Sequence, residues 1–268
     1  MEEFRADLLP IHLRLQRILK IDSSIEVGAF MANYSDASIN LPNMKHALAF
    51  EANPHVFQFF RDEIDKRIDY VNLAVSDVTE TKIFSVQVFD ESTSTSLSPI
   101  RGNNSLKIRS ETNKNYESVS IEAIDLDTFL KQDKYSQSCN KISLWIDAEG
   151  AAYEVLVGAR ETLKKTTILN IELELMAYWR NQTLANEVVQ FLARFGFVPL
   201  VRDFEATQQF NLIFVQRMHL TLFMRTRMFI WSLQFRNHPI KFYFPALFSL
   251  SPLNSERLLK FLMEKANR

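Results

Sequence analysis

Three short apolar runs in this 268-residue chain carry carboxylates at or beside their carboxyl ends, and that repeated pattern limits the available folds more than any other feature. In Ser24-Ile25-Glu26-Val27-Gly28, Ile25 and Val27 sit two apart as in a buried strand, and Gly28 opens a loop before a helix near Asn33. Ala47-Leu48-Ala49-Phe50 ends in Glu51, and Lys141 to Ile146 ends in Asp147-Ala148-Glu149-Gly150. Ligands of open parallel sheets bind in the crevice beyond the carboxyl ends of the strands, so these carboxylates are placed for function. Asp147 and Glu149 repel each other unless a cation, a metal or a proton lies between them, although one also suits the cap of the next helix.

Between these runs the chain alternates helical and extended segments. His55 to Ile68 reads as a helix, Tyr70 to Val75 as a third strand ending at Ser76-Asp77, and Thr81 to Asp90 and Ser118 to Ile124 as inserted strands. The polar stretch Glu91 to Asn115 joins them, and its run Ser92 to Leu97 reads as a solvated loop or a flap. Ala151 to Leu163 reads as a helix, Thr167 to Glu174 as a fifth strand, and Gln182 to Phe195 as a helix closed by Gly196. Phe197 to Val201 and Phe210 to Gln216 form a terminal strand pair. The expectation is an α/β fold: a mostly parallel sheet with an antiparallel edge, and an inserted β segment. Residues 1–22 read as an amphipathic helix packing on the body, 23–216 as the main domain, and 217–268 as a helical extension.

One cysteine, Cys139, excludes a disulfide framework and fits a reducing, cytoplasmic setting. From Arg217 onward nine basic residues face two acidic ones, a charge of +7, which leaves −8 on the body. Nucleic acid is not expected as a partner of so acidic a body. The tail segment His219 to Phe235 mixes apolar residues with Arg225 and Arg227, and three readings stay open: a helix completing the core or a homodimer interface, a membrane-surface helix, or a surface for an anionic glycan. Ser255 to Ala266 reads as a terminal docking helix.

Glu51, a little over twenty residues past Gly28, matches the acidic residue that accepts hydrogen bonds from a ribose diol. A dinucleotide pyrophosphate needs several glycines for close approach to backbone N–H groups. Here only Gly28 is present, with Phe30, Met31 and Ala32 after it, so S-adenosylmethionine (SAM) is preferred to NAD. The cationic sulfonium of SAM also suits acidic surroundings.

These pieces in order, Ile25-Glu-Val-Gly-Ala29, Ala49-Phe-Glu-Ala-Asn-Pro54, Leu73-Ala-Val-Ser-Asp77, Ile124-Asp-Leu-Asp127, Trp145-Ile-Asp-Ala-Glu-Gly150, Glu154-Val-Leu-Val-Gly158 and Gly196-Phe197, resemble the FkbM-type family of SAM-dependent methyltransferases over roughly Ser24 to Gln216. The resemblance implies a Rossmann-like class I methyltransferase fold with an antiparallel last strand, and methyl transfer to a hydroxyl of a sugar, glycan or natural product. It places Glu26, Gly28 and Ala29 around the methionine end of the cofactor, Glu51 at the ribose, and Asn72, Ala74 and Asp77 around the adenine, with Phe30, Ser35 and Asn53 also among the cofactor-binding residues. Asp147 and Glu149 lie where acceptor and methyl meet; Glu149 is the first choice of general base, and Asp147 is as well placed to hold the cofactor. Phe30 stands where this family often has Asn, Ala32 where Gly is usual, and Trp145 where Lys is frequent. No metal is expected, since the five histidines show no ligand spacing. Two other classes compete: a non-catalytic binding module on the same fold, and an NAD-linked oxidoreductase.

Overall fold

The computed structural model describes residues 7–88, 104–110, 115–136, 138–204, 208–234, 240–243 and 260–263. The expected flap at Ser92 to Leu97 lies outside them, as do the first six residues of the leading helix and most of Ser255 to Ala266.

In chain order the elements are α1 (Leu9–Leu19), β1 (Ser23–Val27), α2 (Asn33–Ile39), β2 (His46–Phe50), α3 (Pro54–Phe60), β3 (Ile68–Val71), β4 (Ala74–Val75), β5 (Glu80–Val88), β6 (Asn115–Ile124), α4 (Leu126–Phe129), α5 (Asp133–Ser136) and β7 (Ile142–Ile146). There follow α6 (Ala152–Val157), α7 (Arg160–Lys165), β8 (Thr166–Glu174), α8 (Ala185–Arg194), β9 (Phe197–Arg202), β10 (Gln209–Gln216), α9 (Leu222–Gln234) and β11 (Lys241–Phe242). The main sheet has the order β11-β9-β10-β8-β7-β1-β2-β3, and β4-β6-β5 form a second, smaller sheet. The expected Rossmann-like α/β architecture is present. From β8 through β7, β1 and β2 to β3 the pairing is parallel. The chain runs outward from β1 through β2 to β3, then returns to the other side of β1 with β7. That reversal between β1 and β7 is where such sheets open a crevice.

The expected antiparallel edge is present: β10 opposes β8 and β9, and β11 extends that edge by one strand. Two expectations are corrected. The third strand is two strands. Asn72 breaks it by donating its side-chain N–H to the carbonyls of Glu51 and Ala52 at 2.8 and 3.3 Å, and Ala74–Val75 then pairs with β6 instead. The helix expected over Ala151 to Leu163 is also two. A Cβ at Gly158 would lie 2.0 Å from the carbonyl oxygen of Ser76, so the chain passes too close there for a larger residue. Asp127 restarts the helix from a distance, accepting the N–H groups of Glu161 and Thr162 at 2.8 and 2.7 Å. The Asp-Leu-Asp motif is thus structural, since Asp125 caps α4 through the N–H of Thr128.

The buried faces of β1, β7, β8 and β10 form one apolar core with α1, α8 and the inner side of α9, where Met224 and Met228 are buried. The outer side of α9 exposes Leu222, Phe223, Phe229, Ile230 and Leu233. Arg14 of α1 lies 5.9 Å from the Trp231 ring, and Arg202 of β9 donates to the carbonyl oxygens of Phe261 and Leu262. No helix among the described residues is long and apolar enough to cross a membrane.

Candidate functional site

The tips of β1, β2 and β7 are laced together at Gly28. Its N–H and that of Ala29 donate to the Phe50 carbonyl at 3.0 and 2.9 Å, and the Asp147 N–H donates to the Val27 carbonyl at 2.9 Å. A Cβ at position 28 would sit 1.8 Å from the Asp147 carbonyl oxygen, and the residue has φ +78°, so glycine is required twice over. The loop beyond it holds Phe30 at φ 48° and Ala32 at φ 55°, a left-handed backbone that Asn and Gly adopt more readily. Phe30 is held there by its own hydrogen bonds: its N–H donates to Glu51 Oε2 at 2.8 Å, and its carbonyl accepts from the Tyr70 hydroxyl.

A cavity of about 350 Å³ opens beyond these tips. Of the residues selected from sequence, Gly28, Phe30, Glu51, Ala74, Asp147 and Glu149 line it, and Val56, Leu73, Val75 and Phe84 supply apolar wall. The other six lie outside the lining and hold the frame. Glu26 accepts the N–H groups of Tyr34 and Ser35 at 3.3 and 2.8 Å, so its carboxylate caps α2. Ser35 and Ala29 are buried beside it. Asn53 caps α3 through the His55 N–H, and Asn72 holds the β3–β4 break described above. Asp77 is outside the cavity lining, paired with the Ser76 hydroxyl at 2.9 Å and Lys82 at 3.2 Å.

Beside Asp147 and Glu149 stands Glu172 of β8, and one carboxylate oxygen from each of the three lies within 4.8 Å of the others. Trp145 pairs with Asn170, so Asp147 and Glu172, each two residues further on, share one sheet face.

A family model described as the methyltransferase FkbM domain matches residues 26–199, more than half of the chain. The chain belongs to this family. A comparison with the curated proteins returns no match. Among solved structures, the precorrin-6y C5,15-methyltransferase of Geobacter metallireducens GS-15 is 13% identical, with 78% of this chain and 86% of that chain covered and a TM-score of 0.40. A protein of the NADB-Rossmann superfamily from Streptococcus agalactiae is 10% identical over 88% and 85%, with a TM-score of 0.43, and an rRNA methylase from Streptococcus thermophilus 8% identical over 80% and 99%, with a TM-score of 0.41.

The site of this FkbM domain is electrostatically one-sided. Burial, before any other cause, pushes the carboxyls of Glu26 and Glu51 up to about 7 and that of Glu174 up to about 8. Asp147 has open surface toward the cavity yet is ringed by protein, and desolvation raises it; Glu172 is raised further, by burial and then by the Asp147 charge. Arg109 acts against this on Glu174, as the smallest of the effects at that carboxyl. Glu172 and Glu174 were not singled out from sequence. Their signal was the alternation in Ile171-Glu172-Leu173-Glu174, two carboxylates on one face of an otherwise apolar strand, the same signature that marks Asp147 and Glu149.

Proposed function

We propose that this methyltransferase uses SAM and methylates a hydroxyl of a sugar, glycan or natural product. What supports SAM over NAD is the accounting of the first loop. The N–H groups of Gly28, Ala29, Phe30 and Ala32 are spent inside the protein, on Phe50, Glu51 and Ala29, so four of the five N–H groups from 28 to 32 are withheld from a pyrophosphate. The same cavity places the Glu51 carboxylate at the tip of β2, where a ribose diol would find an acceptor, and apolar side chains where an adenine would pack. When bound, this cofactor supplies a methyl group on a positively charged sulfur, which acidic walls favour.

The chain's own residues then have two tasks. Alignment of the acceptor with the donor is the larger, worth as much as ~7–11 kcal/mol of the barrier. Proton removal from the acceptor hydroxyl falls to Glu149, which lines the cavity and sits at φ 37°, a backbone held by the bond from the Ser105 hydroxyl to its carbonyl at 2.6 Å. Calorimetric titration with SAM, S-adenosylhomocysteine and NAD tests the donor; heat of binding from NAD alone would refute it. For the base, Glu149→Gln is expected to bind SAM and to turn over ~10²–10⁴-fold more slowly. Full turnover in that variant would remove Glu149 from the role.

A further inference from the structure

We propose that Asp147, Glu149 and Glu172 bind one divalent cation of the Mg²⁺ class beside the cavity. The donors are three carboxylates with no histidine or thiol among them, a set suited to hard, oxygen-loving ions and not to Zn²⁺. Oxygens on an octahedral ion at ~2.0–2.1 Å stand about 3 to 4.2 Å apart, and the three carboxylate oxygens here lie within 4.8 Å of one another.

A second observation points to a ligand. Glu172 is only 7% exposed, and its Oε2 has no hydrogen-bond partner among the described residues. Its other oxygen is fixed by the side-chain amide of Gln209, and the group within hydrogen-bonding reach is the carboxyl of Asp147, which brings no positive charge. A buried carboxylate facing another without a counter-ion is costly, and the described residues supply no cation to offset it there. The sulfonium of a methyl donor does not meet that need, because Glu172 is absent from the cavity lining. A small ion seated among the three side chains does. The histidine spacing that argues against zinc is silent on such an all-carboxylate site. The cation would leave open positions toward the cavity, where an acceptor oxygen can bind.

The inference concerns the same site as the proposed function but does not require SAM. Its test is titration of the full chain with Mn²⁺, following loss of the free-ion electron paramagnetic resonance signal, with Mg²⁺ as competitor. The expected result is one Mn²⁺ per chain, displaced by Mg²⁺, with affinity in Glu172→Gln lowered by roughly tenfold or more, the scale on which even outer-shell changes act. Asp77→Asn, a remote carboxylate, is expected to bind Mn²⁺ as the parent does. If Glu172→Gln fails to fold, Glu149→Gln takes its place. No binding at millimolar Mn²⁺, or unchanged affinity in these variants, overturns the proposal and leaves the pair held by a shared proton. Calorimetry with SAM in the presence of a chelator separates the two readings. SAM binding without Mn²⁺ binding defeats the ion alone, and the reverse result defeats the donor alone.

Discussion

One face of β7 carries two polar groups that differ in kind. At its start, Ser143 joins a network of neutral groups beneath α1. Its hydroxyl meets His12 Nε2 at 2.7 Å, the Tyr34 hydroxyl at 2.7 Å and the Gln16 amide at 3.1 Å. One residue past its end, the same face presents Asp147 to Glu172 and Glu149. Trp145 stands between them, stacked on Tyr34 at 5.0 Å. The first group is neutral and joined through the Ser143 hydroxyl, with only His12 Nδ1 and Gln16 Oε1 left without a partner among the described residues, and it holds α1 and α2 on the sheet. The second leaves charge uncompensated, which costs stability, and such a cost persists where an external ligand repays it.

The harshest way to break this contrast is at the backbone beneath the acidic group. Gly28→Val would drive a side chain into the Asp147 carbonyl and force a β-branched residue to positive φ. The expected outcome is loss of SAM binding by calorimetry together with a much lower melting temperature. A variant that melts and binds as the parent does would mean that the β1–β7 contact does not shape the site.

Next come two substitutions expected to differ in sign. Ser143→Ala leaves three buried polar groups short of a partner and should cost ~1–3 kcal/mol in denaturant unfolding, with SAM affinity little changed. Glu172→Gln keeps the shape and removes a buried charge, so the protein without ligand should melt no lower than the parent. If both destabilise equally, the acidic group is as structural as the neutral one.

The pH dependence sharpens the same point. His12 is buried and lowered from 6.5 to about 3, so the folded chain binds fewer protons than the unfolded one and stability falls as pH drops from about 6.5 toward 3. Glu26, Glu51 and Glu174 are raised from 4.5 to about 7, 7 and 8; the folded chain binds more protons, and stability falls as pH rises from about 4.5 to 8. Above 6.5 only the carboxyls act, so the ligand-free protein should melt lower at pH 8 than at pH 6.5. His12→Asn removes the opposing slope and should shift the pH of greatest stability toward acid. A parent whose melting temperature climbs from pH 6.5 to 8 would contradict the carboxyl shifts.

Much of the frame was legible in the sequence because local chemistry decides it. Short apolar runs placed β1, β2, β7 and β8, and the Gly28 to Glu51 spacing placed the cavity between the first two. What sequence missed depends on partners distant along the chain. The break after β3 is made by Asn72 bonding to Glu51 and Ala52, and the break after α6 by Gly158 meeting Ser76. Glu26 has the same residue type as Glu51, yet it lies inside β1 opposite Ala49, two positions short of Glu51, and its carboxylate caps the first turn of α2 outside the cavity lining. The pairing of Asp147 with Glu172 follows from the β7–β8 register, which no local pattern states.

The smallest expected effect concerns Asp77, which the family resemblance assigned to the adenine. It stands at the end of the Leu73-Ala-Val-Ser-Asp77 motif, and Leu73, Ala74 and Val75 do line the cavity. Its carboxylate, however, is engaged by Ser76 and Lys82 and held below the usual range by those bonds despite partial burial. An adenine amino group would have to compete with that ion pair. Asp77→Asn keeps an acceptor for Ser76 and gives up only a half-exposed ion pair, whose worth is ~0–1 kcal/mol. SAM affinity in this variant should therefore stay within about twofold of the parent, a difference of under ~0.5 kcal/mol. A tenfold loss by calorimetry, with the melting temperature unchanged, would mean that Asp77 turns from Lys82 to the cofactor on binding, and that the acidic half of the site extends to the tip of β4.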